Sequence, residues 1–215
     1  VGLAVGAALV SKYTALFFGP AILIWLVVVP KMRRWLLSPW PYLGGIVAFA
    51  VCAPVILWNV EHHWVSFIKQ FGRARITHLT LRYVAEIVPT QILFASPLVF
   101  VLGAMGLYAI ATKRGGAYVA RALLNAMIWI IVLYFTWHSL HSRVEANWFS
   151  PIYPAFAIVA AAAAHVVTWS ERGEQLKRFS LRWAAPVGIA MFALLVVQAN
   201  TGLLSGYRRD ATVRS

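Results

Sequence analysis

The chain has 215 residues, of which 61% are apolar and 12% charged, with a mean hydropathy of +0.75. Soluble domains carry about 45–50% apolar and about 25% charged residues, so a soluble enzyme, a coiled coil, a collagen and a disordered chain are excluded and an integral membrane protein is left. A net charge of +13 would point to nucleic acid in a soluble protein. Here it is explained by topology, because Lys and Arg in short loops orient membrane helices and meet anionic headgroups. No basic stretch is interleaved with aromatics on a soluble face, so no nucleic-acid partner is expected.

A crossing needs about 20 mostly apolar residues. In chain order the apolar runs are 1–29, broken only by Ser11, Lys12, Tyr13 and Thr14, then 42–58, 86–111, 122–137, 148–169 and 184–204. They predict an all-α polytopic bundle of about six spans, with 1–215 a single transmembrane domain, no β signal and no soluble domain. The one long connection, 59–85, has the mixed composition of a segment holding a short interfacial helix. The chain opens at Val1 inside an apolar stretch, without the basic n-region or small-residue cleavage site of a signal peptide. It is therefore expected to be the later portion of a longer membrane protein.

Connections 30–41, 112–121 and 170–183 hold ten Lys and Arg, while 59–85 and 138–147 hold five over a longer sequence and the tail after 204 adds three. The positive-inside rule places the first set in the cytoplasm. His62, His63, His78, His138 and His141 then fall on the outer side, with Glu61, Glu86 and Glu145. A site, if the chain has one, faces outward.

Three segments carry side chains that could do chemistry. Lys12 lies within an apolar run, where an ionisable residue costs roughly 2.5–3.5 kcal/mol unless it meets water or an anion. It reads as a phosphate contact at the membrane boundary, or as a snorkelling lysine between one helix ending near residue 10 and another starting at 14. The run Trp58-Asn59-Val60-Glu61-His62-His63-Trp64 meets the outer surface. Its Trp residues suit an interfacial belt, whereas Asn59, Glu61 and His62 suit sugar hydroxyls, a phosphate or a metal. No metal-ligand spacing occurs, and a divalent ion would need His138 or His141 besides. The third segment runs from His138 through His141, Arg143, Glu145, Asn147 and Trp148 to Tyr153. It reads as recognition of a polar acceptor or headgroup, or as a solvated turn with an Arg143–Glu145 pair. No nucleophile elbow, dinucleotide fingerprint or P-loop is present, Cys52 is mid-membrane, and Lys113-Arg-Gly-Gly116 is an ordinary turn.

The stretches SKYTA, WNVEHHWVSFIKQFGR and EANWFSPIYPA together resemble the bacterial family 39 glycosyltransferases, the dolichyl-phosphate-mannose-protein mannosyltransferase-like group of the GT-C class. The resemblance runs over most of residues 1–170. It implies sugar transfer from a polyprenyl-phosphate-linked donor to an acceptor on the outer face of the bacterial inner membrane. It further implies donor contacts at Lys12, Glu61, His62 and Arg73, to which the residue reading adds Asn59. Trp58, Trp64, His138, Arg143, Glu145, Asn147, Trp148 and Tyr153 are the candidates for lining the cavity or meeting the acceptor. The family's catalytic Asp lies in a first outer loop that nothing here matches, and Asp210 has different neighbours. The chain is therefore expected to lack the base and to be inactive alone. No cofactor is assigned.

Two other readings fit the composition. A secondary transporter would show intramembrane charges or paired broken helices in two related halves, and no internal repeat is visible. A non-catalytic assembly protein would not require the outer-side gathering of His, Glu and Asn.

Overall fold

Interruptions of the apolar runs set the architecture, because the runs themselves are apolar on every face. The computed structural model describes residues 1–72, 79–114 and 116–202. Among them are nine α-helices and no strand: α1 (Gly2–Ser11), α2 (Phe18–Val28), α3 (Trp40–Glu61), α4 (Val65–Gly72), α5 (Arg82–Ala95), α6 (Pro97–Ala111), α7 (Tyr118–Ser139), α8 (Tyr153–His165) and α9 (Glu171–Thr201). Three 3₁₀ segments, Tyr13–Phe17, Pro30–Leu37 and Ala146–Ile152, join them. Among the described residues four helical stretches are long and apolar enough to cross a membrane, namely α3, α7, α9 and α8 taken with the preceding Ala146–Ile152 segment, and up to six spans result if each of two bent pairs is one span. The all-α polytopic bundle is as expected.

The first run, counted as one span in the sequence, breaks at Lys12, as the reading of one helix ending near residue 10 and another starting after it expects. Lys12 takes an extended conformation (φ −159°, ψ 128°) that ends α1, and the chain then turns back through Tyr13–Phe17. Pro20 falls in the first turn of α2, where its missing N–H costs no helical bond. Gly2 lies against Gly44, and Gly6 against Ala48 and Val51, so α1 runs parallel to α3. Trp25 Nε1 donates to the Val119 carbonyl at 2.9 Å, whereas Phe17 packs on Tyr134 and Phe135 at ring distances of 4.7 and 5.7 Å. Those contacts make α2 antiparallel to α7. Residues 1–29 are thus a helical hairpin with Lys12 at its apex, not a crossing with a charge at its centre.

Two further boundaries move for local reasons. The run 86–111 breaks at Ser96, which holds φ +66° ahead of Pro97, and α5 and α6 meet at 108°. A proline at the first helical position starts α6 without losing a bond, and disfavours helix for the residue before it. The 170–183 connection is helical and continuous with the last span, giving the 31-residue α9, about 46 Å long. Its N-terminus carries Glu171 and Glu174 in the first turn, where the helix dipole favours acids. Pro30–Leu37 leaves α2 at 114° and buries none of its residues, as expected for a basic, Trp-containing segment lying along an interface.

Close packing comes from small residues, as in membranes where lipid leaves little hydrophobic drive between helices. A Cβ on Gly2 would lie 2.3 Å from the Gly44 carbonyl oxygen. A Cβ on Gly103 would lie 2.0 Å from the Phe156 ring, and one on Gly106 2.0 Å from the Val159 carbonyl oxygen. These contacts set α6 parallel to α8. The core has two parts, Ile110, Ile128, Ala155, Phe156 and Val159 in one, and Ile131, Phe135, Phe149 and Ile152 in the other. The second part fixes the Ala146–Ile152 segment, together with Gln91 Nε2, which donates to the Ala146 carbonyl at 3.1 Å.

Candidate functional site

The hairpin apex, the ends of α3 and α7, and Ala146–Ile152 gather at one end of the bundle. The basic connections 30–39 and 112–117 lie at the other end, with 166–170, which leads into the basic first turns of α9, since each follows or precedes a helix that starts or ends there. Because α1 packs on α3 and α2 on α7, a cavity of about 540 Å³ opens between the two pairs. Its walls are Leu9, Leu16, Phe17 and Pro20 of the hairpin, and Gly45, Ala48, Phe49, Cys52 and Ile56 of α3. From Gly45 to Ile56 these α3 residues span roughly 16 Å at helical rise. Tyr134 and Phe135 of α7 and Phe67 of α4 complete the apolar wall, and Lys12, Tyr13, Thr14, His138 and Trp148 form the polar mouth.

Lys12 is the cation of this mouth. Its ammonium donates to the Asn147 carbonyl and, at 3.1 Å, to Ser150 Oγ. Both acceptors are neutral, and no carboxylate pairs with Lys12 among the described residues. Beside it Tyr13 packs against Phe67 with ring centroids 5.2 Å apart and tilted by 46°, and its hydroxyl accepts from Asn59 Nδ2 at 3.4 Å. Asn59 is fully buried and also donates to the Val55 carbonyl at 2.9 Å, so it ties α3 to the apex from behind the cavity wall. Asn59 Oδ1 and Thr14 Oγ1 are buried without a hydrogen-bond partner among the described residues.

The remaining donor-side residues stand on the rim. α3 ends in a Schellman-type turn, with Trp64 N–H donating to the Asn59 carbonyl at 2.7 Å and His63 at φ +54°, in the left-handed position usually given to glycine. The turn leaves Glu61, His62, His63 and Trp64 exposed, outside the cavity lining. His62 Nδ1–H donates to the Trp58 carbonyl at 2.8 Å, and its ring stacks on Trp58 at 4.1 Å. Arg73, His78 and Asp210 lie outside the described residues.

On the acceptor side, His138 and Trp148 line the cavity, and Asn147 meets Lys12 through its backbone. His138 and His141 are buried, 2% and 4% exposed, with rings 4.9 Å apart. The sequence suggests a solvated loop there; the helical continuation of α7 to Ser139 and a tight turn, Ser142 N–H to the His138 carbonyl, put both under Trp137 and Trp148 instead. Arg143 pairs with Glu86 at 3.6 Å, not with Glu145, because α5 lies across this end of the bundle. Glu145 is exposed. Tyr153 donates to Gln91 Oε1 at 2.6 Å, a staple between α5 and α8 away from the cavity. Among the described residues no three His, Cys, Asp or Glu side chains gather as a metal site would need.

Ser150 and the α3 face Gly45-Ala48-Cys52-Ile56 are not singled out by the sequence, whereas Tyr13 and Thr14 are conspicuous there only as the polar neighbours of Lys12. The α3 residues do recur at helical spacing, but in a helix apolar on all sides that spacing gives no contrast.

No curated protein and no solved structure matches the chain. One family model does: residues 1–58, which contain the hairpin, the Lys12 apex and most of α3, match that of the dolichyl-phosphate-mannose-protein mannosyltransferases, and over this part the chain is similar to that family of membrane glycosyltransferases.

Proposed function

We propose that the chain holds the lipid-linked donor in a membrane glycosyltransferase that moves a sugar from a polyprenyl phosphate to an acceptor at the outer face of a bacterial inner membrane. The observation that carries this reading is the position of Lys12, a cation with neutral partners at the mouth of an otherwise apolar cavity. Such a site has two complementary needs, an anion at the mouth and a hydrocarbon in the channel, and a polyprenyl phosphate supplies both. When the bond from the sugar to the phosphate breaks, negative charge builds on the departing phosphate, and a fixed ammonium stabilises it. The acceptor hydroxyl must also lose a proton to a base. No carboxylate of the described residues lines the cavity, so the base is assigned to none of its lining residues. His138 and Trp148 line the cavity; with the exposed Trp58, Glu61, His62 and Trp64 at the end of α3, and Arg73 in the same connection, they are the side chains assigned to sugar and acceptor in this reading.

The test uses the chain reconstituted in zwitterionic nanodiscs. Undecaprenyl phosphate should quench its tryptophan fluorescence at concentrations about tenfold or more below those required for undecaprenol. Equal affinity for phosphate and alcohol would overturn the reading. Sidedness is tested separately. In intact cells an impermeant maleimide should label Ser142→Cys and leave Ser38→Cys unlabelled, and the opposite pattern would place the site in the cytoplasm.

A further inference from the structure

We infer that Ser150 is a positioning residue, holding the Lys12 ammonium so that one of its N–H groups stays available to an anion in the cavity. This inference rests on the reading of Lys12 as the phosphate contact. An ammonium has three N–H donors. Two are engaged from one side, by the Asn147 carbonyl and Ser150 Oγ, and both acceptors belong to the Ala146–Ile152 segment. The third is left for the cavity that Lys12 lines.

The segment is suited to act as a fixed mount. Phe149 and Ile152 are 2% and 7% exposed and sit in the core with Ile131 and Phe135. Gln91 holds the Ala146 carbonyl at one end, and the Tyr153 N–H bonds to the Ser150 carbonyl at the other. A free lysine side chain gives up about 1.5–2 kcal/mol of rotamer freedom when it is ordered. Anchoring it before the ligand arrives removes that cost from binding.

The chemistry of the anchor matters as much as its place. A serine hydroxyl and a carbonyl orient the ammonium without neutralising it. A carboxylate in the same position would orient it equally well and cancel the charge on which an anion depends.

The experiment measures binding of undecaprenyl phosphate and of undecaprenol to the full chain in zwitterionic nanodiscs, for the wild type and four variants, with the melting temperature of each. Ser150→Ala should weaken phosphate-lipid binding about three- to tenfold, the worth of one hydrogen bond, and leave undecaprenol binding unchanged. Ser150→Thr should stay within about twofold of wild type, since it keeps the hydroxyl. Ser150→Asp should remove the preference for phosphate over alcohol altogether. Lys12→Gln separates the two ideas. If Lys12→Gln loses the phosphate preference and Ser150→Ala keeps it, the positioning role is wrong and the phosphate site stands. If Lys12→Gln binds as wild type does, the phosphate site itself is wrong. Equal weakening of both lipids by Ser150→Ala would make Ser150 a structural residue and overturn the inference.

Discussion

Gly106→Ala is expected to destabilise the bundle by about 3 kcal/mol, at the upper end of what overpacking costs. Two effects oppose each other at this position. Alanine is the better helix former by about 1 kcal/mol. Against that, its Cβ would lie 2.0 Å from the Val159 carbonyl oxygen and 2.4 Å from the carbonyl carbon. Those are backbone atoms of α8, so no side-chain rotation relieves the clash and one helix must move away from the other. Gly19→Ala is the matched control. It sits in α2 with nothing within 4 Å of the added methyl, and should be neutral or stabilising by up to about 1 kcal/mol. Unfolding by denaturing detergent, followed by circular dichroism, compares the two. An unchanged midpoint for Gly106→Ala would mean that α6 and α8 do not approach this closely. The variant should also affect the site, because α8 continues directly from the Ala146–Ile152 segment. A shift of α8 carries Ser150 and the Asn147 carbonyl with it.

Lys12→Gln should weaken polyprenyl-phosphate binding roughly 10- to 100-fold, the range expected for loss of a charged hydrogen bond worth about 1.5–3 kcal/mol. Folding should survive. Lys12 is at the apex of the hairpin, outside the helices, with its ammonium at the surface of the cavity and not packed in the core. A glutamine amide can also still donate to Ser150 and to the Asn147 carbonyl. Lys12→Arg is expected to recover only part of the loss, since the planar guanidinium cannot present donors in the tetrahedral arrangement that meets Asn147, Ser150 and the cavity together. In a transfer assay the same change should reduce sugar transfer without preventing membrane insertion. A Lys12→Gln protein that binds and transfers normally would leave Lys12 as an interface anchor.

Much of the candidate site was legible because polar residues are rare in this chain and therefore conspicuous. Lys12 interrupts an apolar run, and the clusters around Asn59–His62 and His138–Trp148 stand at the ends of others. What could not be read is which of these residues converge. Lys12 and Ser150 are 138 positions apart, and the wall of the cavity is built from residues that resemble every other membrane-facing residue. The same limit explains Tyr153, which looks like a site aromatic but is committed to Gln91, and Arg143, whose neighbour in space is Glu86 rather than Glu145.

By itself the sequence determined the class of the protein, its all-α polytopic character and the clustering of its basic residues in short connections. These follow from composition, because the surrounding solvent selects apolar side chains and leaves charges at the ends. The tertiary structure alone decided that residues 1–29 fold back at Lys12, that 86–111 bends at Ser96, and that α1 with α3 and α2 with α7 enclose a cavity. Helices apolar on all faces have no periodic stripe to say which side meets which neighbour. Their directions and partners are set by glycine contacts and single hydrogen bonds between distant positions, such as Gly106 with Val159 and Trp25 with Val119.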